Sequence, residues 1–471
     1  MHPRTGLAAA LAAALLTTGA TSLLTPAASA EGGSGKTNAG ATAQGERYSS
    51  LIVHFAENAT ASSDDAAARA AVADVARQSG HELAVVRRLS TDGVLVQVAA
   101  PLDKGQADHI INRFAARSDV AFAEVDAVMT ATMTPNDTHY TKQWHYFEPV
   151  AGMNLPPAWD VTTGAGQVVA VLDTGSTVHP DLDANLLPGY DFVSNATLAR
   201  DGSGRDSDAA DEGDWTTRGQ CYKGSPPANS SWHGTHVAGT VAAVSNNGTG
   251  VTGVAFGAKV QPVRVLAACG GSLSDIADAI TWASGGTVAG VPANPTPAKV
   301  INMSLGGGGT CGATYQTAIN GAVSRGVTVI VAAGNNNANA ANYQPASCTS
   351  TVVIAASDRE GNRASYSNYG AIVDLTAPGG ETATAANGVA STLNSGTTTP
   401  TTPAYVYYQG TSMAAPHVAG LAALVLSRKA HTPAELEAAL KAGVRPLAGT
   451  CSGGCGTGLS DAGKTVASVI V

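Results

Sequence analysis

Charge is scarce in this sequence. Only 13% of its 471 residues are Asp, Glu, Lys or Arg, against 44% apolar, and that balance excludes a disordered bulk in favour of a firmly packed globular chain. Cations are scarcer than anions. The formal net charge of −9 leaves no basic field, which argues against nucleic acid as a partner. No apolar run is long enough to span a bilayer, so no membrane anchor is expected. The six cysteines include no C-x-x-C pair, which argues against zinc.

What is present begins with an export signal. His2 and Arg4 form a short n-region, residues 7–16 an apolar h-region, and Ala28-Ser29-Ala30 a small-residue cleavage site. Export makes Cys221, Cys269, Cys311, Cys348, Cys451 and Cys455 candidate disulfide partners. Six cysteines allow about 15 connectivities. The sequential one (221–269, 311–348, 451–455) is the expectation, firmest for the last pair across Ser452-Gly453-Gly454.

Residues 31–46 are rich in Gly, Ser, Thr and Ala and read as a linker. A compact pattern follows. Strands are expected over 51–55, 81–89, 94–98 and 120–129, and helices over 66–78 and 106–117, with Asp92-Gly93 as a turn. That βαββαβ order is the split βαβ arrangement. The main body then alternates strands (168–172, 259–266, 300–305, 328–333, 352–356) with helices (235–244, 274–283, 314–325). Near-continuous Val/Ile runs joined by helices require a parallel sheet covered on both faces. Ligand sites of such sheets lie at the carboxyl ends of the strands.

Four polar residues fall at those ends or at helix starts. Asp173 follows the strand 168–172 in Leu172-Asp173-Thr174-Gly175. His233 opens His233-Gly234-Thr235-His236-Val237-Ala238-Gly239-Thr240, and Asn335 follows Ala333-Gly334. Ser412 stands in Gly410-Thr411-Ser412-Met413-Ala414-Ala415-Pro416-His417-Val418-Ala419-Gly420, the start of an apolar helix over 414–426 with Pro416 expected in its first turn. Singly, each suits a cap or a turn. Together they suit acyl transfer. A Ser hydroxyl needs an imidazole to attack an amide, and the imidazole needs a carboxylate to fix its tautomer. The oxyanion needs preorganised donors, here the Asn335 amide and the Ser412 N–H. His236 is the rival base, and its place one turn along the helix makes it a packing residue.

These motifs, with Asn302-Met303-Ser304-Leu305-Gly306, resemble the subtilisin family (subtilases) over about residues 134–471, and the chain order Asp, His, Ser is that family's order. The resemblance implies an α/β fold: a three-layer αβα sandwich around a mainly parallel seven-stranded sheet. A small α+β ferredoxin-like propeptide domain precedes it. The implied layout is signal peptide 1–30, linker 31–46, inhibitory propeptide 47–132 and catalytic domain 133–471. The implied activity is that of a secreted, extracellular serine endopeptidase, made as a self-processing zymogen and working through an acyl-enzyme. Its partners would be protein or peptide substrates and its own propeptide as intramolecular inhibitor, and it would act as a monomer. Ser304, Leu305 and Gly306 would pair with substrate backbone, residues 267–272 would form the opposite rim, and Ala333 and Gly334 would wall the pocket for the residue before the scissile bond. A non-catalytic binding protein of the same fold would need a substituted site position, and none is substituted.

No catalytic cofactor is implied, but structural calcium is. Asp137, Asp181, Asn247 and the carbonyls of Val244, Thr249 and Val251 resemble a thermitase-like site, and oxygen-only ligands suit this hard cation. The acidic stretch 201–214 lacks the EF-hand order and suits a solvated charge run as well as a second ion. It belongs to an insertion between Asp173 and His233 that also carries Cys221.

Overall fold

Residues 36, 37, 42, 47–127 and 133–469 are described by a computed structural model of the chain. The expected signal peptide, most of the linker and the junction at 128–132 lie outside the described residues.

The chain divides into two compact units, 1–129 and 130–471. In the first, β1 (Tyr48–Phe55), α1 (Asp65–Ser79), β2 (Leu83–Arg88), β3 (Val94–Leu102), α2 (Lys104–Ala115) and β4 (Val120–Val125) follow in the expected order. The sheet is antiparallel, ordered β2-β3-β1-β4. Alternate residues of its strands, among them Leu51, Val53, Val94 and Val96, are buried with Val72, Ile110, Ile111 and Phe114 of the helices. Both helices start on side-chain caps: Asp64 accepts from two amides of α1, and Asp103 with Gln106 forms a capping box on α2. The last strand is shorter than its apolar pattern suggested, ending at Val125.

The second unit is built on seven parallel strands. In chain order they are β5 (Val168–Asp173), β6 (Tyr190–Asp191), β7 (Lys259–Arg264), β8 (Val300–Met303), β9 (Thr328–Ala332), β10 (Thr351–Ser357) and β11 (Leu375–Pro378). Across the sheet the order is β11-β10-β9-β8-β5-β7-β6. Period-two alternation sorts the strand residues between two cores. Val169, Val171, Ile330 and Ile354 face α3 (His233–Ala242) and α6 (Thr411–Arg428). Ala170, Leu172, Val329 and Val353 face α4 (Leu273–Ala283) and α5 (Ala313–Ser324). The result is the three-layer αβα sandwich. Helix α6 is apolar on every side and buried from Met413 to Val425, as a helix through the interior must be.

All three disulfides follow the sequential pairing: Cys221–Cys269, Cys311–Cys348 and Cys451–Cys455. Among the described residues no helix is long and apolar enough to cross a membrane. One local expectation is corrected. Pro416 is the sixth residue of α6, not a first-turn residue, because the helix begins at Thr411 rather than Ala414.

Candidate active site

Strand β5, an interior strand between β8 and β7, ends on the fully buried Asp173. A buried carboxylate must be hydrogen-bonded, and this one accepts from its neighbour's amide, Thr174 N, at 2.8 Å. Its other partner is His233 Nδ1, 2.7 Å from one oxygen and 2.9 Å from the other. His233 reaches it because Trp232, in the left-handed region at φ 51°, turns the chain abruptly into α3. Gly234 permits the approach: a Cβ there would collide with the Gly175 carbonyl and crowd Asp173. Burial disfavours the charged imidazole of His233, but the Asp173 carboxylate, then those of Asp214 and Asp211, outweigh it and raise its pKa above 6.5.

Ser412 is the second residue of α6. Gly410, at φ 151°, aims the chain into the helix, and the Ser412 N–H has no acceptor among the described residues, as expected in a first helical turn. The Ser412 hydroxyl donates to the Ser304 carbonyl at 3.1 Å. Among the described residues no hydrogen bond joins it to His233, so engaging the imidazole requires a turn of the Ser412 side chain.

Asn335 lies three residues beyond the end of β9 and is exposed. Its Oδ1 accepts from Thr411 N and Thr411 Oγ1, both at 2.8 Å, which fixes the amide with Nδ2 as the free end. Thr411 Oγ1 also accepts Gly334 N at 3.1 Å, tying the 333–335 backbone to the start of α6. Thr411 looked like a helix-start residue in the sequence; its adjacency to Ser412 was the only signal of this second task. Asn368 was missed altogether. It takes Asn336 N and Ala338 N on one end and gives Nδ2 to the Ala333 carbonyl on the other, with nothing in its local motif to show it.

A cleft of about 790 Å³ runs over these groups, lined by His233, Ser412 and Asn335. Ser304, Leu305, Gly306, Ala333 and Gly334 also line it, as do Ala267, Cys269, Gly270 and Gly271 of the other rim. Strand β8 stops at Met303, so the backbone at Leu305 and Gly306 is outside the parallel sheet and beside open cleft. His236 is elsewhere. It is fully buried, bonded to the carbonyls of Val389 (3.1 Å) and Val406 (3.2 Å) and stacked on Tyr408, and burial pushes its pKa down to about 3. Such a ring stays neutral and is no base for the cleft.

Asp137, Asp181 and Asn247 come together away from the cleft. Asp181 accepts from Asn247 Nδ2 (2.7 Å) and Val251 N (2.8 Å); Asp137 accepts from Asn246 N (3.0 Å). Among the described residues Asp137 Oδ1 is buried without a partner. Burial pushes the Asp181 carboxyl up to about 6, and the charge of Asp137 adds to it. A buried carboxylate whose ionisation a neighbouring carboxylate opposes, with an unpaired oxygen on that neighbour, fits a divalent cation. A side chain on Gly250 would fill the space beside Asp181 and Tyr405. Among the described residues no three His, Cys, Asp or Glu side chains gather, so carbonyls must complete such a shell.

The acidic insertion does not converge on one point. Asp201 pairs with Arg264 at 3.1 Å, beside the buried Asp191–Arg264 pair at 2.7 Å. Asp206 and Asp208 cap their own loop amides. Asp211 is buried, takes the Thr174 hydroxyl at 2.5 Å, and is pushed by burial up to about 7. Asp214 alone reaches the cleft.

The comparisons with known proteins agree on one family. The model described as "Subtilase family" matches residues 164–458. An extracellular protease of Xanthomonas campestris pv. campestris is 54% identical over 91% of this chain and 74% of its own length. Thermitase of Thermoactinomyces vulgaris is 34% identical over 67% of this chain and 94% of its own. A solved protease structure from Pseudoalteromonas arctica is 57% identical, covers 72% of this chain and all of its own, and superposes with a TM-score of 0.71.

Proposed function

This chain belongs to the subtilase family and is a subtilisin-like serine protease, and from that premise we propose that Asp173, His233, Ser412 and Asn335 carry out its reaction. The observation that supports this most is the two-oxygen pairing of Asp173 with His233 Nδ1, at the rim of a cleft into which Ser412 opens a helix. Pairing at Nδ1 holds the ring in the tautomer that leaves Nε2 free as a base. Nε2 takes the Ser412 proton as Oγ attacks the scissile carbonyl carbon. The oxyanion so formed meets Asn335 Nδ2 and the Ser412 N–H at the start of α6. The protonated His233 then gives its proton to the leaving amine, and water repeats the sequence on the acyl-enzyme.

Leu305 and Gly306 pair with an extended substrate through their backbone, which reads main-chain atoms and leaves sequence preference to the pockets. The chain is exported by residues 1–30; residues 47–132 form an inhibitory propeptide joined by the linker 31–46, and 133–471 is the mature enzyme. Asp137, Asp181, Asn247 and the carbonyls of Val244, Thr249 and Val251 would hold calcium, whose charge would offset that of the two carboxylates and so brace the 244–251 loop. Covalent labelling tests the assignment: a fluorophosphonate should modify Ser412 in the wild type and leave Ser412→Ala unlabelled. Labelling at another serine would sink it.

A further inference from the structure

The insertion between Asp173 and His233 delivers one carboxylate to the substrate cleft. Among the described residues Asp214 is the only acidic one lining that cleft, and no lysine or arginine lines it. It is held rigidly. Arg200 donates to the carbonyls on both sides of it, Gly213 at 2.7 Å and Trp215 at 2.6 Å, and its guanidinium lies 3.9 Å over the Trp215 ring. Ser230 Oγ is bonded to the Thr398 carbonyl, anchoring the returning strand of the loop. The Asp214 oxygens take Ser231 N at 2.6 Å and Ser231 Oγ at 2.8 Å, two residues before His233. Arg200 Nη1 and Nη2 are engaged by main-chain carbonyls, and among the described residues Asp214 forms no salt bridge within 4 Å.

Strand order says which substrate residue meets that charge. Strand β5 lies between β8 and β7, so the segments after β8 and after β7 flank its end, where Asp173 binds His233. Ala333 and Gly334 follow β9, on the far side of β8. An extended peptide turns successive side chains to opposite sides. If one side chain enters toward Ala333 and Gly334, the residue before it turns toward His233, Ser231 and Asp214.

We propose that Asp214 makes this subsite select a lysine or arginine side chain at the substrate position preceding the residue whose carbonyl Ser412 attacks. The proposal rests on the catalytic assignment above and names a substrate preference for it. The cation would lie beside a carboxylate whose two oxygens each carry one hydrogen bond from Ser231, leaving lone pairs on both. An acidic side chain at the same position would meet the same field with the opposite sign.

Three fluorogenic peptides that differ only at this position, as Lys, Gln or Glu, test it on the mature enzyme and on Asp214→Asn. The expected kcat/KM for Lys exceeds that for Glu by about tenfold or more at low ionic strength, and the ratio shrinks in 1 M salt. In Asp214→Asn the ratio should fall to about threefold or less, whereas a merely structural loss would lower all three peptides together. A wild-type ratio near one, or a ratio unchanged in the variant, overturns the proposal. Should Asp214→Asn not fold, the wild-type ratio and its salt dependence decide alone. Loss of all cleavage together with an unlabelled Ser412 would instead overturn the catalytic assignment, and this proposal with it.

Discussion

The hydroxyl of Ser304 donates to the carbonyl of Ser412 at 2.8 Å, and that carbonyl is available because the residue four positions on is Pro416. In an unbroken helix the amide of residue 416 would take the carbonyl of residue 412. Proline has no amide hydrogen, so the carbonyl is released and Ser304 occupies it. Ser304 Oγ also accepts from Asn302 Nδ2 at 3.0 Å, and its own carbonyl takes the Ser412 hydroxyl. The end of β8 and the start of α6 are thereby joined at the residue proposed as nucleophile.

Ser304→Ala therefore should leave the part-buried Ser412 carbonyl and the buried Asn302 amide unpaired. The expected cost is about 1–3 kcal/mol of stability, read by urea denaturation in a Ser412→Ala background that cannot digest itself. A change within experimental error would mean that the helix closes on this carbonyl in another way.

Asn335→Ala should lose about a hundred- to a thousandfold in kcat with KM little changed, because its donor matters mainly in the transition state. Thr411→Val removes one of the two bonds that aim the Asn335 amide and should move kcat in the same direction by less. A KM effect alone would make Asn335 a substrate-binding or turn residue.

Activity should fall on the acid side. Burial opposes protonation of His233 but the carboxylates of Asp173, Asp214 and Asp211 favour it more strongly, so its pKa lies above 6.5. The base works only when deprotonated, so kcat/KM should decline as pH falls through a midpoint above 6.5. A profile flat between about pH 5 and 8 would remove His233 from that role.

Chelation should lower the melting temperature of the Ser412→Ala protein, since a cation held only by the folded state stabilises it by mass action. Asp181→Asn should abolish the difference between chelated and calcium-supplemented samples. Equal melting temperatures with and without chelator, in the parent, would dismiss the site.

Ser412→Ala should also keep residues 31–132 attached when it is secreted, while wild type should begin between Thr130 and Asn136. A tethered tail has a high effective concentration at its own cleft, and the isolated 31–132 fragment should therefore inhibit the mature enzyme in trans. N-terminal mass spectrometry of the two proteins settles the first point. Cutting of Ser412→Ala at the same bond in a protease-deficient host would refute self-processing.

Much of this was legible before the structure. Apolar runs located five of the seven strands of the main sheet within a few residues, because a strand buried on both faces has no polar positions to blur its pattern; the two edge strands, β6 and β11, are too short to leave such a run. Asp173, His233 and Ser412 stood out as candidates because each sits where periodicity changes, at a strand end or a helix start. What the sequence did not show was the layer that aims them. Thr411 and Asn368 act by hydrogen bonds that connect distant segments, and neither leaves a periodic trace. The role of Pro416 was misread for a related reason. Its meaning depends on where the helix begins, and element boundaries are the least legible feature of a sequence. Asp214 was visible only as one charge in an acidic stretch until the insertion folded and separated it from its neighbours.

Helix α6 packs against β8, β9, β10 and β11 and against α3, so it is at once the bearer of Ser412 and a principal filler of one core. During synthesis that helix emerges after every strand of the sheet. A ribosome-bound chain that has made Asp173 and His233 lacks both Ser412, the residue proposed as nucleophile, and the helix that fills much of one core. Most of the contacts it awaits are remote in sequence, which slows folding and prolongs exposure of apolar surface. The helix that fills much of this core thus also carries Ser412 to the cleft, so the proposed site cannot assemble before that helix has emerged and packed.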